Sequence, residues 1–252
     1  MGLEGRVALV TGGGRGIGRA VSLALAEDGA DVAINYRRDE QAAEETLADV
    51  EKLGRRAAKY HASVDSWDED EAMVNAVLAD FGGVDILVNN AGIASRGHSV
   101  VDTDPAEFER VWRTHTFGSF ALSKLVLPSM RERPRGDIVM VSSAATVHWG
   151  ANSSPYNVAK AGLEALARTL AKEERRHNIH VNVVAPGLVE TEMGRRLVKG
   201  AMGVEDITTL NAGSPFGHVC TPEEVAGVVR FLVSDAGGYL TDQKLTIDGG
   251  SF

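Results

Sequence analysis

The chain has 252 residues, of which 44% are apolar, and it carries a formal net charge of −9. This length suits one large α/β domain, and the apolar content is enough for a sizeable core, which excludes a disordered chain. The negative charge argues against a protein that binds nucleic acid or an anionic membrane over its whole surface.

Two kinds of segment alternate along the chain. Short β-branched runs predict strands at residues 6–11, 31–36, 57–64, 86–89, 137–142, 180–185 and 244–247, and helical periodicity predicts helices at 15–28, 39–53, 67–81, 105–116, 119–131, 154–176 and 222–234. Because strands and helices alternate, the connections are right-handed crossovers between parallel strands. We therefore predict an α/β fold: one doubly wound, seven-stranded parallel sheet with helices on both faces, in a single domain spanning residues 1–252.

Glycines separate the first predicted strand from the first predicted helix, in the segment Thr-Gly-Gly-Gly-Arg-Gly-Ile-Gly at residues 11–18. Glycine permits a tight turn and a close approach of the backbone to a pyrophosphate, and a helix N-terminus offers free N–H groups to that anion. The segment therefore predicts a dinucleotide site. The predicted cofactor-binding residues here are Gly12, Arg15, Gly16, Ile17 and Gly18.

The end of the second predicted strand favours NADP(H) over NAD(H). Rossmann units that bind NAD carry an acidic residue at this point, which binds the ribose hydroxyls. Here Arg37 and Arg38 follow the strand instead, and together with Arg15 they offer positive charge to a 2′-phosphate. The two acidic residues that come next keep an alternative open, in which these arginines only begin a solvated helix.

The segment Asn-Asn-Ala-Gly follows the fourth predicted strand, at residues 89–92. Asparagine side chains at this point can tie adjacent strands together, and a glycine lets a cofactor approach closely. We therefore predict that Asn89, Ala91 and Gly92 contact the cofactor. A plain turn is the alternative.

Three polar side chains predict the chemistry. Tyr156 and Lys160 are four residues apart and share one face of a predicted helix. A lysine ammonium beside a phenol stabilises the phenolate and lowers the pKa of the tyrosine, which makes Tyr156 a candidate general acid or base. Ser143 ends the fifth predicted strand, where its hydroxyl can hydrogen-bond the substrate oxygen as charge develops there.

The ordered set of these motifs resembles the short-chain dehydrogenase/reductase family over essentially the whole chain. The matching residues are Thr-Gly-x-x-x-Gly-x-Gly at 11–18, Asn-Asn-Ala-Gly at 89–92, Ser143, Tyr156-Asn-Val-Ala-Lys160, Asn182 and Pro186-Gly187. The resemblance implies a Rossmann sheet, direct hydride transfer without a metal, and binding of the nicotinamide ribose by Lys160. It further implies that the cofactor contacts the exit of the sixth strand, at Pro186, Gly187, Val189 and Thr191.

One position departs from the family pattern. The family usually has an asparagine, which helps to organise a water chain to the lysine, where this chain has His115. Because a neutral imidazole can both donate and accept hydrogen bonds, the hypothesis is that His115 serves in this relay and titrates near its ordinary pKa of about 6.5. The alternative is that His115 only packs.

The whole-chain resemblance is nearest to 3-oxoacyl-[acyl-carrier-protein] reductases. We therefore expect reduction of a small-molecule carbonyl compound, or oxidation of the alcohol, with a thioester-linked substrate as the first choice. A dehydrogenase of a sugar, polyol, steroid or other secondary alcohol is the alternative enzyme, and a dinucleotide-binding regulator is the alternative outside enzymes. Residues 188–220 are the least regular stretch and follow a strand's carboxyl end, so they predict a substrate lid or else a long surface connection.

Remaining features bear on metals, partners and location. The histidines and the single cysteine, Cys220, show no metal-ligand spacing, and a lone cysteine cannot form an internal disulfide. No apolar stretch is long enough to cross a bilayer, and the first ten residues lack the pattern of a signal peptide. We expect a cytoplasmic protein without metal, nucleic-acid or membrane partners, and the family resemblance implies a homotetramer. Five arginines form either a solvated patch or a dock for an acidic carrier protein, and they are Arg131, Arg133, Arg135, Arg175 and Arg176.

Overall fold

Seven parallel strands form one sheet in the computed structural model, which describes residues 2–251. The strands are β1 (Val7–Val10), β2 (Asp31–Tyr36), β3 (Ala57–His61), β4 (Ile86–Asn89), β5 (Gly136–Val141), β6 (Ile179–Pro186) and β7 (Lys244–Ile247). Their order across the sheet is β3-β2-β1-β4-β5-β6-β7. The strand order reverses between β1 and β4, and ligands of open α/β sheets bind at such a point, outside the carboxyl ends of the strands. The predicted fold class is confirmed.

The helices cover both faces of the sheet. They are α1 (Gly16–Glu27), α2 (Glu40–Lys52), α3 (Trp67–Phe81), α4 (Pro105–Trp112), α5 (Gly118–Met130), α6 (Ala145–His148), α7 (Ser154–Glu174), α8 (Glu192–Met202) and α9 (Pro222–Val233). One apolar cluster packs α1, α2 and α9 against one face, and a second packs α3, α5 and α7 against the other. Because helices cover both faces, β5 is buried along its whole length. Strands buried on both faces need apolar residues at successive positions, which explains the continuous apolar runs of the central strands.

The two helices predicted at 105–116 and 119–131 differ from the structure. A π-helical turn, Arg113–Phe117, joins α4 to α5 without a break in the helical backbone. A π turn inserts an extra residue into the helical ladder and is frequent at functional sites. Sequence periodicity cannot show it, because the apolar spacing on either side of the insertion is helical.

The stretch 188–220, expected to be irregular, contains the regular helix α8. Thr191 caps its N-terminus by accepting a hydrogen bond from the Gly194 N–H at 3.0 Å. An isolated bridge between Val189 and Cys220 closes the two ends of the stretch. None of the helices in residues 2–251 combines the length and apolar character needed to span a membrane.

Candidate active site

The carboxyl ends of four neighbouring strands bring the predicted site residues to one edge of the sheet. Residues 11–18 follow β1, residues 89–92 end and follow β4, Ser143 follows β5, and residues 186–191 end and follow β6. Because parallel strands all end at the same edge, segments far apart in the sequence are neighbours here. Helix α7, which carries Tyr156 and Lys160, packs beside this edge against β5 and β6.

In the glycine loop, residues 11–18, the backbone segments pass so close to one another that side chains at the glycines would collide with them. Gly12 lies in the left-handed region with φ of +60°, and a Cβ on Gly18 would lie 2.1 Å from the Gly12 carbonyl oxygen. Arg15, at the N-cap of α1, makes no side-chain capping hydrogen bond, so the first N–H groups of the helix remain available to a ligand. Ile17 faces inward and packs against the core. The loop therefore has the close backbone contacts and the uncapped helix N-terminus on which the predicted pyrophosphate site depends.

Two asparagines after β4 lie against the neighbouring strands. The hydroxyl of Thr11 accepts hydrogen bonds from the N–H groups of Asn90 and Ala91, both at 2.9 Å. The Asn90 side chain also donates to the Thr11 carbonyl at 2.8 Å. The Asn89 amide lies 3.3 Å from the sulfur of Met140 on β5. These contacts hold the exit of β4 beside the glycine loop.

Asn35 is a buried site residue to which the sequence reasoning gave no role. Its side-chain oxygen Oδ1 accepts a hydrogen bond from the Gly12 N–H at 3.2 Å, and its side-chain Nδ2 donates to the Ala62 carbonyl at 3.0 Å. Asn35 therefore connects the glycine loop to the segment after β3. The sequence does hold a signal for it, since an asparagine inside an apolar strand needs hydrogen-bond partners when buried.

The predicted 2′-phosphate residues lie on adjacent loops, after β1 and after β2. The Arg15 side chain is 64% exposed, and its guanidinium lies 3.7 Å from Asp39. Such an exposed, long ion pair contributes little and leaves the guanidinium free to turn towards an anion. Arg37 is partly buried, and its carbonyl accepts a hydrogen bond from the His61 ring at 2.9 Å.

Ser143, Tyr156 and Lys160 meet at the end of β5. The Ser143 hydroxyl lies beside the Tyr156 phenol. The Lys160 Nζ lies 5.7 Å from the centre of the Tyr156 ring and donates to the Val141 carbonyl at 2.6 Å. Lys160 is only 4% exposed, so its ammonium is surrounded by protein. The phenol, the hydroxyl and the amine can therefore act on one small group.

The pKa of Tyr156 moves in the direction opposite to the sequence expectation. Burial raises the pKa of Tyr156, and the hydrogen bond with Ser143 opposes that rise more weakly. Burial also lowers the pKa of Lys160 to about 7, because desolvation disfavours the charged amine. The prediction that Lys160 brings the pKa of Tyr156 down is wrong in this structure. The phenol keeps its proton at neutral pH.

His115 lies in the π turn and faces Tyr156. Its ring stands edge-on to Tyr156, with the ring centres 5.3 Å apart, and a Cβ on Gly92 would lie 2.5 Å from its Cε1. The Nε2 atom lies 2.8 Å from the Ile93 carbonyl oxygen and 3.2 Å from the Ile93 backbone nitrogen. Nδ1 is buried and has no hydrogen-bond partner within residues 2–251. Burial and the nearby Lys160 hold the pKa of His115 well below its ordinary value.

The exit of β6 reaches the glycine loop. Pro186 ends the strand, the Gly187 N–H donates to a β7 carbonyl at 2.8 Å, and Val189 is buried. A Cβ built on Gly16 would lie 3.3 Å from the Thr191 methyl carbon. The predicted nicotinamide segment and the predicted pyrophosphate loop are therefore in contact.

Two further predictions concern groups outside this edge. Three of the arginines considered for docking a carrier protein are already paired within the chain. These pairs are Arg131 with Glu174 at 2.6 Å, Arg133 with Asp85 at 2.9 Å and Arg135 with Asp137 at 2.9 Å. Among the described residues, no group of three or more histidine, cysteine or acidic side chains could hold a metal ion.

Known proteins resemble this chain along its full length. The family described as enoyl-(acyl carrier protein) reductase matches residues 12–251. The 3-oxoacyl-[acyl-carrier-protein] reductase of Vibrio cholerae is 37% identical over 252 residues, which are 100% of this chain and 99% of the relative. The L-rhamnose 1-dehydrogenase (NAD(P)(+)) of a Sphingomonas species is 34% identical over 99% of this chain and 97% of the relative.

Solved structures give the same result for the fold. A short-chain dehydrogenase from Burkholderia cenocepacia in complex with NADP has a TM-score of 0.89 and 34% identity, covering 98% of each chain. NAD+-bound xylitol dehydrogenase has a TM-score of 0.90 and 32% identity, covering 98% of this chain and 99% of that one. The two similar proteins hold different dinucleotides, so likeness alone leaves the choice of cofactor to local residues.

Proposed function

The chain belongs to the short-chain dehydrogenase/reductase family of oxidoreductases, which bind a nicotinamide dinucleotide, and on that premise we propose that it is an NADP(H)-dependent reductase of 3-oxoacyl thioesters. The observation on which this rests is the close approach of Ser143 to a protonated Tyr156 beside the buried Lys160, next to the glycine loop. The further proposal is a cytoplasmic homotetramer.

The side chains have distinct roles in this proposal. When bound, NADPH supplies the hydride that forms the new C–H bond at the carbonyl carbon. The Tyr156 hydroxyl donates the proton that completes the alcohol, and its raised pKa keeps that proton in place at neutral pH. The Ser143 hydroxyl donates a hydrogen bond to the same oxygen, where negative charge develops. The ring of His115 stands edge-on to the phenol, and its proposed role is to take part in the water relay to Lys160.

The edge of the sheet fits the proposed cofactor. Gly12, Gly16 and Gly18 leave the space that a Cβ would fill, beside the free N–H groups of α1. The pyrophosphate would lie there against Arg15 and Ile17. The remaining proposed contacts are Asn89, Ala91 and Gly92 with the adenosine and nicotinamide halves, Lys160 with the nicotinamide ribose, and Pro186, Gly187, Val189 and Thr191 with the carboxamide side.

The preference for NADP(H) is proposed from charge. Arg15 and Arg37 follow β1 and β2, at the place where NAD-binding units have an acid for the ribose hydroxyls. A guanidinium there can make a charge-assisted, bidentate contact with a 2′-phosphate. The similar Burkholderia protein in complex with NADP supports this choice.

The substrate class is proposed from the relatives and from the lid. Exposed apolar side chains on and after α8, namely Met193, Leu197 and Phe216, offer an apolar cover of the kind that an acyl chain needs. Relatives named for L-rhamnose and xylitol favour a second candidate, a dehydrogenase of a sugar or polyol. The tetramer is supported by half-exposed apolar side chains on α4, α5 and α7, which are Phe108, Trp112, Phe120 and Val158.

A substrate panel with both cofactors tests the proposal. An acetoacetyl thioester and a keto-steroid are offered with NADPH and with NADH, and L-rhamnose and xylitol with the oxidised cofactors, while nicotinamide absorbance is followed. We expect the thioester with NADPH to give the highest kcat/KM. A higher kcat/KM for the sugar or the polyol would replace the thioester proposal with the second candidate.

The substitution Tyr156→Phe tests the assignment of the proton donor. The phenyl ring keeps the packing against His115 but removes the hydroxyl, so turnover should fall by about 10²-fold or more while NADPH binding is retained. Fluorescence titration of NADPH measures the binding separately. Near-normal turnover by the variant on the preferred substrate would show that Tyr156 is not the donor.

A further inference from the structure

Helix α7 presents an acidic side chain on the same face as its two proposed catalytic residues. Tyr156, Lys160 and Glu164 follow one another at intervals of four residues, so they line one side of the helix. The Glu164 side chain is 13% exposed. A carboxylate that is so nearly buried needs partners, and its partners come from three other segments of the chain.

Three side chains hold the Glu164 carboxylate. The hydroxyls of Ser142 and Thr146 each donate to its Oε1 at 2.6 Å. The Lys244 Nζ lies 3.0 Å from both carboxylate oxygens and also donates to the Thr146 hydroxyl at 2.6 Å. The Thr146 hydroxyl oxygen also lies 2.8 Å from the Ser143 carbonyl oxygen, so its single proton is shared between that carbonyl and the carboxylate. One carboxylate thus joins α7 to the end of β5, to α6 and to β7.

The surroundings of Lys160 show what this carboxylate does. On α7, Lys160 lies between Tyr156, four residues before it, and Glu164, four residues after it. Its Nζ donates to the Val141 carbonyl of β5, and His115 on the π turn is near enough to feel its charge. Burial lowers the pKa of Lys160 to about 7, and Glu164 acts against that fall. Neither Tyr156, whose pKa is raised, nor His115, whose pKa is lowered, brings charge to Lys160 at neutral pH. Glu164 is therefore the negative group that favours the charged amine.

We propose that Glu164 is a positioning residue that keeps the buried Lys160 amine charged and ties its helix to the strand end that bears Ser143. The proposal rests on the proposed function only for the roles of Lys160 in binding the nicotinamide ribose and in proton transfer. The Lys244 ammonium limits the effect, because a cation in contact with the carboxylate offsets its field at Lys160. Lys244 and Glu164 therefore act on Lys160 with opposite signs.

Because Glu164 and Lys244 have opposite effects on the charge of Lys160, removing each of them distinguishes an electrostatic role from a structural one. Removing the carboxylate with Glu164→Gln should move the titration midpoint of Lys160 to lower pH, and Lys244→Met should move it to higher pH, each by about half a unit or more. The two substitutions break the same ion pair. If the pair only braced the fold, both would lower the melting temperature and neither would shift Lys160 in an opposite sense.

The midpoint is read by NMR of the cofactor-free protein with isotope-labelled lysine, whose Cε chemical shift follows the charge of its own amine. The Lys160 resonance is assigned by its absence in Lys160→Arg. Glu173→Gln and Lys172→Met are the matched controls, since both residues are exposed on the same helix, and they should leave the midpoint unchanged. No shift in the two test variants, or shifts of the same sign, would overturn the proposal.

The pH dependence of kcat/KM for carbonyl reduction provides the second measurement. Its alkaline limb should move to lower pH in Glu164→Gln and to higher pH in Lys244→Met, because Lys160 loses its charge as pH rises. Failure of the proposed function is read separately, as absence of reduction by the unmodified protein across the substrate panel. The NMR titration needs no turnover, so it decides the role of Glu164 in either case.

Discussion

At the scale of single residues, burial changes the charges that the sequence suggests. Lys160 has a pKa near that of an ordinary histidine, while Tyr156 keeps its proton and His115 stays uncharged. All three shifts have desolvation as their largest cause, since an uncharged group loses less than a charged one on leaving water. These charges agree with the proposed role of Tyr156 as the proton donor in carbonyl reduction.

His115→Asn tests whether the imidazole titrates during turnover. Because the pKa of His115 lies well below its ordinary value, the ring is neutral over the working range, and the variant and the unmodified protein should have superimposable pH profiles of kcat between about pH 6 and 8. His98→Asn, in an exposed loop, is the matched control. An acidic limb that is present in the unmodified protein and absent only from His115→Asn would restore the hypothesis of a titrating relay.

Arg37→Asp tests the choice of cofactor. A charge-assisted contact with the 2′-phosphate contributes roughly 1.5–3 kcal/mol, or about 10- to 100-fold in kcat/KM. We expect the unmodified protein to prefer NADPH, and the aspartate to erode or reverse that preference by repulsion. Arg38→Asp makes the same charge change at the adjacent exposed residue and should matter less. Equal use of NADPH and NADH by the unmodified protein is incompatible with this expectation.

At the scale of elements, the turns between regular segments shape the site. The π turn Arg113–Phe117 places His115 opposite Tyr156, and the glycine loop leaves the N-terminus of α1 open. Both depend on close backbone contacts, so small changes of volume should have large effects there.

Gly18→Ala tests the closeness of the glycine loop. The added Cβ would lie 2.1 Å from the Gly12 carbonyl oxygen, so backbone must move, at a cost of about 1–3 kcal/mol. A lower melting temperature and weaker NADPH binding should result. Gly227→Ala, in α9 with open space around it, is the control and should be neutral or stabilising by up to ~1 kcal/mol. Unchanged stability and binding in Gly18→Ala would contradict the close contact.

At the scale of the whole molecule, the carboxyl and amino ends of the strands carry different groups of residues. The carboxyl ends hold the candidate site, and the amino ends hold buried ion pairs such as Arg6 with Asp137 at 2.5 Å. One buried acid lacks this kind of compensation. Asp70 in α3 is fully buried, and neither carboxylate oxygen has a hydrogen-bond partner within residues 2–251. Burial, with Asp65 and Glu69 nearby, raises the pKa of Asp70 to about 8.

Asp70 should make global stability depend on pH. Its pKa is raised above the value of 3.8 for an unperturbed carboxyl, so the unfolded chain releases this proton first. The contribution to stability is fully present below that unperturbed value and is lost as pH rises through about 8. Asp70→Asn should therefore flatten the decline of melting temperature between acidic and mildly alkaline pH. Asp68→Asn, exposed on the same helix, is the control, and equal slopes in all three proteins would contradict this role for Asp70.

The sequence determined the sheet and the family. Several predicted elements have the observed bounds, including β2, α3 and β7, because periodicity and turn residues are local signals. The ordered motifs indicated the short-chain dehydrogenase/reductase family, and that resemblance is confirmed. The sequence also placed Ser143, Tyr156 and Lys160 on segments that meet, since strand ends of a parallel sheet share one edge. Their roles stay predictions.

Only the tertiary structure decided the charges and the neighbours of those residues. The sequence did not predict helix α8, because its stretch is rich in glycine. It did not predict the π turn either, because the apolar spacing on both sides of the turn is helical. Asn35 and Glu164 gained roles from partners far away in the chain, after β3 and on β7. The pKa directions of Tyr156 and His115 depend on how completely each group is removed from water. Desolvation is a property of packing around a point in space, so residue types and their spacing along the chain do not specify it.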